Sequence, residues 1–558
     1  MEAEVGGVPL HLAGIFSAVE DVAADRECIV WGDRCWTWAE TGDRARRVAS
    51  ALAGRGLGLR RDLDECAPWE SPHDHVALYL HNGNEYLEVM LGSYMARCAP
   101  VNVNYRYRAE ELAYVLGDSD SRVVIYHATF APRLAEVLPR LGSVELLVHV
   151  EDDSGNEPLA GAVPYEELLR GANPALPAEL VDTWSGDDLY VCYTGGTTGN
   201  PKGVLWRQDD FLRAALGIGR RDGSPFADLA ELAAAARTST LRALPAPPLM
   251  HGAAHWNAMS CWAAGGTIIL QDDTTRLHPA DLWRSVERHG ATSLLIVGDP
   301  FARPLLDEWD HATSIGRSYK CDHLRHLISG GAVLSPQIKL ALLERLPHLR
   351  IVDVLGSTES GRQGLDTSRR ASTTTGFSAS GNATVLDDDM RTELEAGDPR
   401  IGWLAQRGRV PRGYLGDRDK TERTFPEIGG VAVAVAGDRA RRLADGTIEL
   451  LGRDSAVINT GGEKVFAEEV ETRLKAHPAV FDAVVCGRPS PRWGEEVVAV
   501  VELRAGVSVD DDDLRGWCRS RLADFKVPKG IVRVERVRRS PSGKADYRWA
   551  RSEATSQE

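Results

Sequence analysis

Residues 193–203 read Tyr-Thr-Gly-Gly-Thr-Thr-Gly-Asn-Pro-Lys-Gly, and no other stretch constrains this chain so tightly. Gly195, Gly196 and Gly199 permit backbone approaches that a β-carbon would block, so successive N–H groups can converge on an anion. Thr194, Thr197 and Thr198 add hydroxyl donors, and Lys202 adds a cation. Apolar residues precede the loop (189–192) and follow it (204–206), which sets it between two strands of a sheet. A phosphate cradle is the reading. It is not a Walker A loop, because Asn200 and Pro201 separate the last glycine from Lys202, and Gly203 stands where Ser or Thr would take magnesium.

The remainder of the chain frames that loop. At 558 residues, more than one domain is expected. A net charge of −16 disfavours nucleic acid or an anionic membrane as the principal partner, so an anionic ligand must be met by local groups. The nine cysteines form no CxxC pair and no regular framework, which points to free thiols rather than zinc or a disulfide scaffold. No apolar run approaches a bilayer span and no basic leader opens the sequence, so a cytoplasmic location is expected.

Strand-like runs at 76–80, 123–126, 146–150, 267–270 and 293–297 alternate with helix-length amphipathic stretches, which predicts an α/β architecture. Residues 62–75 are acidic, proline-containing and aperiodic; they read as a surface loop without assigned function. A turn at Asp445-Gly446 leads into a small α+β unit with a helix at 467–476 and strands at 480–486 and 496–503. The polar tail beyond Ala550 is expected to fray. A buried-type strand at 351–355 ends in Gly356-Ser357-Thr358-Glu359, which presents hydroxyls and a carboxylate at a strand's C-terminal edge, where open α/β sheets bind ligands. Glu359 is the candidate magnesium ligand, and Thr358 can reach a phosphate.

The glycine loop, the 356–359 turn and further motifs in matching order resemble the adenylate-forming (ANL) superfamily of acyl-CoA synthetases, adenylation domains and luciferases. Within it the sequence is most similar to fatty-, steroid- or terpenoid-acid CoA ligases of actinobacterial type. The resemblance implies a large N-terminal domain of packed α/β sheets, residues 1–452, with the ATP and acyl sites. It also implies a small mobile α+β domain, 453–558, with the catalytic lysine and the CoA-tunnel segment. Ser329-Gly330-Gly331-Ala332 corresponds to the adenine-proximal turn, Asp438 to the ribose ligand, and Arg453 to a ribose or phosphate ligand. His251, in Pro247-Pro248-Leu249-Met250-His251-Gly252, corresponds to the acyl-pocket histidine, and gating suits it better than proton transfer. Gly461, Gly462 and Lys464 fall in the pantetheine-tunnel segment, and Lys544, in Ser540-Pro541-Ser542-Gly543-Lys544, on the mobile lysine loop.

The implied chemistry uses ATP, Mg2+ and CoA. A bulky hydrophobic carboxylic acid becomes an acyl-adenylate and then a CoA thioester, with the domains alternating between the two steps. Relatives of this kind are often homodimers. Three positions depart from the pattern. Leu355 stands where an aromatic residue would stack on adenine, Arg362 where smaller residues are usual, and Ser455 where many members carry a hinge Asp or Lys. These departures motivate an alternative, an enzyme that only thioesterifies a supplied acyl-adenylate. A ligase loading a carrier protein is another.

Overall fold

The computed structural model describes residues 7–195, 200–368, 376–460, 463–540 and 543–556. Gly196, Thr197, Thr198, Gly199, Gly461 and Gly462 therefore lie outside the described residues. The architecture is α/β, as the alternation of apolar runs predicts.

Two sheets with parallel cores make up most of the larger body. One runs in the order Ala99–Asn102, His75–Tyr79, Ser121–His127, Leu146–Val150 and Val163–Pro164, every pair parallel. In the other, Thr267–Leu270, Arg242–Pro245, Ser293–Ile296, His326–Gly330 and Arg350–Ser357 lie side by side and parallel. The central strands are covered on both faces, which is why they read as near-continuous Val, Ile and Leu runs. The second sheet then turns antiparallel through Gly361–Ser368 and continues to Asp438–Arg442 and Ile448–Arg453. A three-stranded antiparallel sheet of Leu189–Thr194, Lys202–Arg207 and Gly413–Tyr414 carries the glycine loop.

Beyond Arg453 the chain makes a short turn, Asp454–Ala456, and enters a separate five-stranded sheet. There Val480–Ser490 pairs with Gly494–Leu503, and the helix Ala467–Lys475 packs on a core of its own that includes Val470, Leu474, Val485 and Val501.

The tail departs from its expectation. Residues Tyr547–Ser556 form a helix whose Ala550 and Ala554 are fully buried against Val484, Val498, Val500 and Val532. A composition that is polar overall hid two small apolar residues spaced four apart, enough to seat one helical face. Ala554→Asp, which would force a carboxylate into that valine cluster, is expected to cost roughly 3 kcal/mol of stability. Chemical denaturation of the variant measures it; a frayed tail would tolerate the change.

Candidate functional site

Four neighbouring parallel strands, Arg242–Pro245, Ser293–Ile296, His326–Gly330 and Arg350–Ser357, release their chain at the same sheet edge. The segments that follow them contain His251, residues 297–300, Gly331-Ala332 and Thr358-Glu359. Motifs far apart in sequence thus converge because they share one edge, the position at which such sheets place ligands.

The glycine-loop hairpin is tied to this edge by two buried donors. Asn102 donates its Nδ2 to the carbonyls of Tyr193 (2.9 Å) and Met250 (2.7 Å), while its Oδ1 accepts from the Tyr193 N–H (2.7 Å). Trp206 donates its indole N–H to the Thr358 carbonyl at 2.8 Å. Asn102 therefore fixes the entry of the phosphate loop relative to the His251 segment, and Trp206 fixes its exit relative to Glu359. Thr194 closes the Leu189–Thr194 strand directly opposite Lys202.

Lys202 is ion-paired with Asp417, which caps the following helix, Arg418–Thr424. Its Nζ lies 5.7 Å from the Tyr414 ring centre, and Lys420 lies 4.8 Å from the same ring. Tyr414 in turn donates its hydroxyl to Glu359 Oε1 at 3.1 Å. Tyr414, Asp417 and Lys420 were not picked out from the sequence, although Gly413-Tyr414-Leu415-Gly416-Asp417 has the small-residue spacing of a tight turn before a capped helix. The 62–75 loop has a structural task here, because the carbonyls of Cys66 and Trp69 accept from the Arg412 guanidinium and from the Gly416 N–H, both at 2.9 Å.

The small domain delivers Lys544 to this edge. Gly543 sits close enough to Val297 that an added β-carbon would approach its side chain to 3.2 Å, so the lysine loop rests on the 297–300 segment. A second contact across the domains runs from Arg303 Nη2 to the Lys475 carbonyl, 3.3 Å. Between these contacts a cavity of about 500 Å³ remains, lined in part by Arg106, Pro248, Asp299, Phe481 and Gly543. Lys544 keeps open surface although many protein atoms surround its charged end. Burial lowers its pKa, Arg453 lowers it further, and Glu359 and Asp438 oppose the shift.

Asp438 and Arg453 face each other across paired strands with Oδ1 and Nε 3.2 Å apart. Burial raises the Asp438 pKa despite the guanidinium beside it, whereas Asp438 raises that of Arg453. Burial is the larger influence on the carboxylate, so the pair is a charged guanidinium beside a weakened acid. The site therefore holds three groups suited to a nucleotide: a desolvated ammonium, a guanidinium and a carboxylate able to accept hydroxyls. Glu359 suits Mg2+, since only its Oε1 has a protein hydrogen-bond partner among the described residues, and that ion typically takes one or two carboxylates with phosphate oxygens and water.

Other predicted residues fall in less direct positions. Ser357 directs its hydroxyl to Ser360, 2.9 Å away. Gly330 ends its strand, and Gly331 and Ala332 form the turn beyond it, next to the segment that seats the lysine loop. Gly356 lies opposite Arg362 in the strand pairing. Lys464 is exposed on the strand Glu463–Phe466, and among the described residues no hydrogen bond or ion pair links it to Lys544, Glu359 or Asp438. The His251 Nε2 is buried without a partner among the described residues, and burial together with Arg106 and Lys544 pushes its pKa down to about 3. A neutral histidine of that kind suits gating. Beside it, Tyr190, stacked on Phe211 at 3.9 Å, accepts from the Trp256 indole at 2.6 Å and meets His255 at 2.5 Å.

Leu355, which the resemblance sets where an aromatic residue would stack on adenine, has its side chain packed into a cluster with Val385, Leu394 and Leu404. The alternation of the strand, not the residue type, decides which face it takes.

The two-domain body, with its phosphate-loop hairpin and inward-turned lysine, defines the class as a nucleotide-dependent enzyme with a separate terminal module. The chain matches the AMP-binding enzyme family over residues 16–415 and the AMP-binding enzyme C-terminal domain over 469–544, and it belongs to that family. It is 45% identical to the medium-chain acyl-CoA ligase Mig of Mycobacterium avium, covering 97% of each chain. It is 37% identical to a 3-oxocholest-4-en-26-oate–CoA ligase of Rhodococcus rhodochrous, covering 98% of this chain and 96% of that one. Its fold is that of the anthranilate CoA ligase AuaEII in complex with anthranoyl-AMP (TM-score 0.82, 20% identity, 100% of this chain and 99% of the other).

Leu355→Phe is expected to leave nucleotide affinity unchanged while overpacking its cluster at a cost of about 1–3 kcal/mol, checked by nucleotide titration and thermal melting. The buried histidines make the fold acid-sensitive. Burial lowers His73, His127 and His255 to about 4 and His251 to about 3, so each stays neutral in the folded chain while its unfolded counterpart protonates near 6.5. The unfolded state then binds more protons from about pH 6.5 down to about pH 4, and stability falls as pH is lowered through that window. Melting temperature measured from pH 7 to pH 5 should drop, and His251→Phe should flatten the slope.

Proposed function

We propose that the protein is an AMP-forming acid–thiol ligase that converts a bulky hydrophobic carboxylic acid to its CoA thioester through an acyl-adenylate, using ATP, Mg2+ and CoA. One observation carries the reading: Lys544, from the terminal domain, is lodged in the large domain's cleft with Glu359, Asp438 and Arg453 acting on it. The similarity to the medium-chain and steroid-acid CoA ligases supports the substrate class, as do the aromatic Trp256 and Phe211 near His251.

Lys544 meets the negative charge that grows as the acid's carboxylate attacks the α-phosphorus and pyrophosphate leaves, an electrostatic contribution that is large in a water-poor cleft. Mg2+ bound beside Glu359 supplies further charge neutralisation. Asp438 accepts the ribose hydroxyls, Arg453 steadies ribose or phosphate oxygens, and His251 shapes the entry of the acyl group. In the second step the thiol of CoA displaces AMP. Residues 1–452 and 453–558 are the moving units in this scheme. Lys544 lies in the cleft while the strand bearing Lys464 lies outside, so a rotation near Arg453 would exchange them. The cavity left at the junction between the domains favours such a movement. The nine cysteines are free thiols, which accords with a cytoplasmic setting, and a homodimer is the assembly we expect from the resemblance.

A screen of fatty, aromatic, steroid and terpenoid acids with ATP, Mg2+ and CoA tests the reading. AMP and a thioester should appear together with pyrophosphate exchange. Lys544→Ala should lower adenylation by roughly 10²–10³-fold while sparing thioester formation from a supplied acyl-adenylate. Thioester from the adenylate without any exchange by the unmodified enzyme would leave only the second half-reaction, and product on a carrier protein in place of CoA would change the acceptor.

A further inference from the structure

Arg362 lies three residues past Glu359 on the strand Gly361–Ser368, and among the described residues it has no counter-charge. No side chain or carbonyl of those residues accepts from its guanidinium, and burial alone lowers its pKa, with no charged neighbour acting on it. Other arginines of this region differ. Arg409 pairs with Asp209 and Asp210, and Arg453 pairs with Asp438. The half-buried Arg362 guanidinium, without a protein acceptor among the described residues, is open to an oxygen supplied by a ligand.

The direction of the side chain narrows what that ligand is. The guanidinium rests against Gly217, so close that an added β-carbon there would overlap it, and Gly217 adopts a left-handed backbone (φ +68°) that suits glycine. Gly217 follows the π-helical turn Phe211–Ala215, a kind of distortion frequent at functional sites. That turn presents Phe211 to Tyr190 and, edge-on at 5.3 Å, to Trp256. Gly361, next to Arg362, is packed against the Ala215 backbone of the same turn. Among the described residues Arg362 makes no hydrogen bond or ion pair with Lys544 or with the Asp438–Arg453 pair. Its approach to Gly217 sets it between Leu216 and Ile218, at the end of an otherwise apolar and aromatic wall that the ligase reading assigns to the acyl group.

Building on the ligase reading, we propose that Arg362 is a specificity-determining residue, and that the preferred acid carries a second oxygen function, a carboxylate or a carbonyl, remote from the carboxyl group that is activated. Arginine presents two parallel N–H donors to such a group, whereas an all-hydrocarbon chain would leave them unpaired against apolar surface. Discrimination of this type is strong because the wrong ligand leaves a polar group of the site unsatisfied.

The test compares straight-chain acids of about six to twelve carbons, a range sized to a pocket of ordinary volume, in three versions: plain, with a terminal keto group and with a terminal carboxylate. Thioester formation gives kcat/KM for each. The unmodified enzyme should favour an oxygenated version at its best chain length by roughly tenfold or more, mainly through KM. Arg362→Leu should abolish or invert that preference, and Arg362→Lys should restore part of it for the dicarboxylic series. The keto and carboxylate arms separate a neutral acceptor from an anion. Equal or better use of the plain acids by the unmodified enzyme overturns the proposal, as does a preference unchanged in Arg362→Leu. Titration with matched acyl-sulfamoyl-adenosines reads the same preference as affinity, so failure of turnover across all acids would count against the ligase reading while Arg362 is still judged. Should Arg362→Leu melt early, Arg362→Gln and the unmodified enzyme's own selectivity decide.

Discussion

The Lys544 ammonium, set beside an arginine and two carboxylates, is the interaction on which the rest of the arrangement depends. Lys544 and Arg453 share one cleft with Asp438 and Glu359, and burial weakens the hold of Lys544 on its proton and the acidity of Asp438. Lys544 and Arg453 thus stand as two cations beside two carboxylates, one of them weakened as an acid by burial. The lysine need not be held by a dedicated counter-ion, which would compete with the substrate; it is held by the seat of Gly543 on Val297.

That arrangement requires the groups around the lysine to be rigid. The parallel sheet provides this, because adjacent strands fix the spacing of the turns at its edge, and Asn102 and Trp206 pin the separate phosphate-loop hairpin to two of those turns. Lys202, ion-paired with Asp417 above the Tyr414 ring, belongs to the same framework and links the loop to Glu359 through the tyrosine hydroxyl. The candidate site is thus a junction of three sheets rather than a property of one motif. Substitution at Asn102 would disturb the loop and the His251 segment together.

The sequence was informative where local pattern and burial agree. The runs at 146–150 and 267–270 became strands at those same limits, since buried parallel strands must be apolar throughout. Glu359, Asp438, Arg453 and Lys544 were picked out as separate motifs, and the structure brings these four together. What could not be read were facts of direction and partnership. Leu355 occupies the anticipated strand but faces a hydrophobic cluster. Asn102 and Tyr414 act through contacts with residues 91 and 55 positions away, which no local window reveals. Ala550 and Ala554 gave too little apolar weight to mark a docked helix, yet against a valine surface two methyl groups are a close fit.

The junction between the domains adds a constraint of its own. Gly452 holds φ at +125°, and any β-carbon there would run into the Glu468 carboxyl group. Glu468 accepts from the Arg453 N–H at 3.4 Å, while Glu471, one turn on, accepts from the Val485 N–H at 3.0 Å. Burial raises both carboxyls, and Glu471 adds to the difficulty of ionising Glu468. The strand end that carries Arg453 is therefore buttressed by the small domain's first helix, and Tyr547 of the last helix packs on the same core. The same glycine that bends the chain at this junction also brings the helix carboxyl against the backbone of the strand, so the two domains are joined by a side-chain contact as well as by the chain itself.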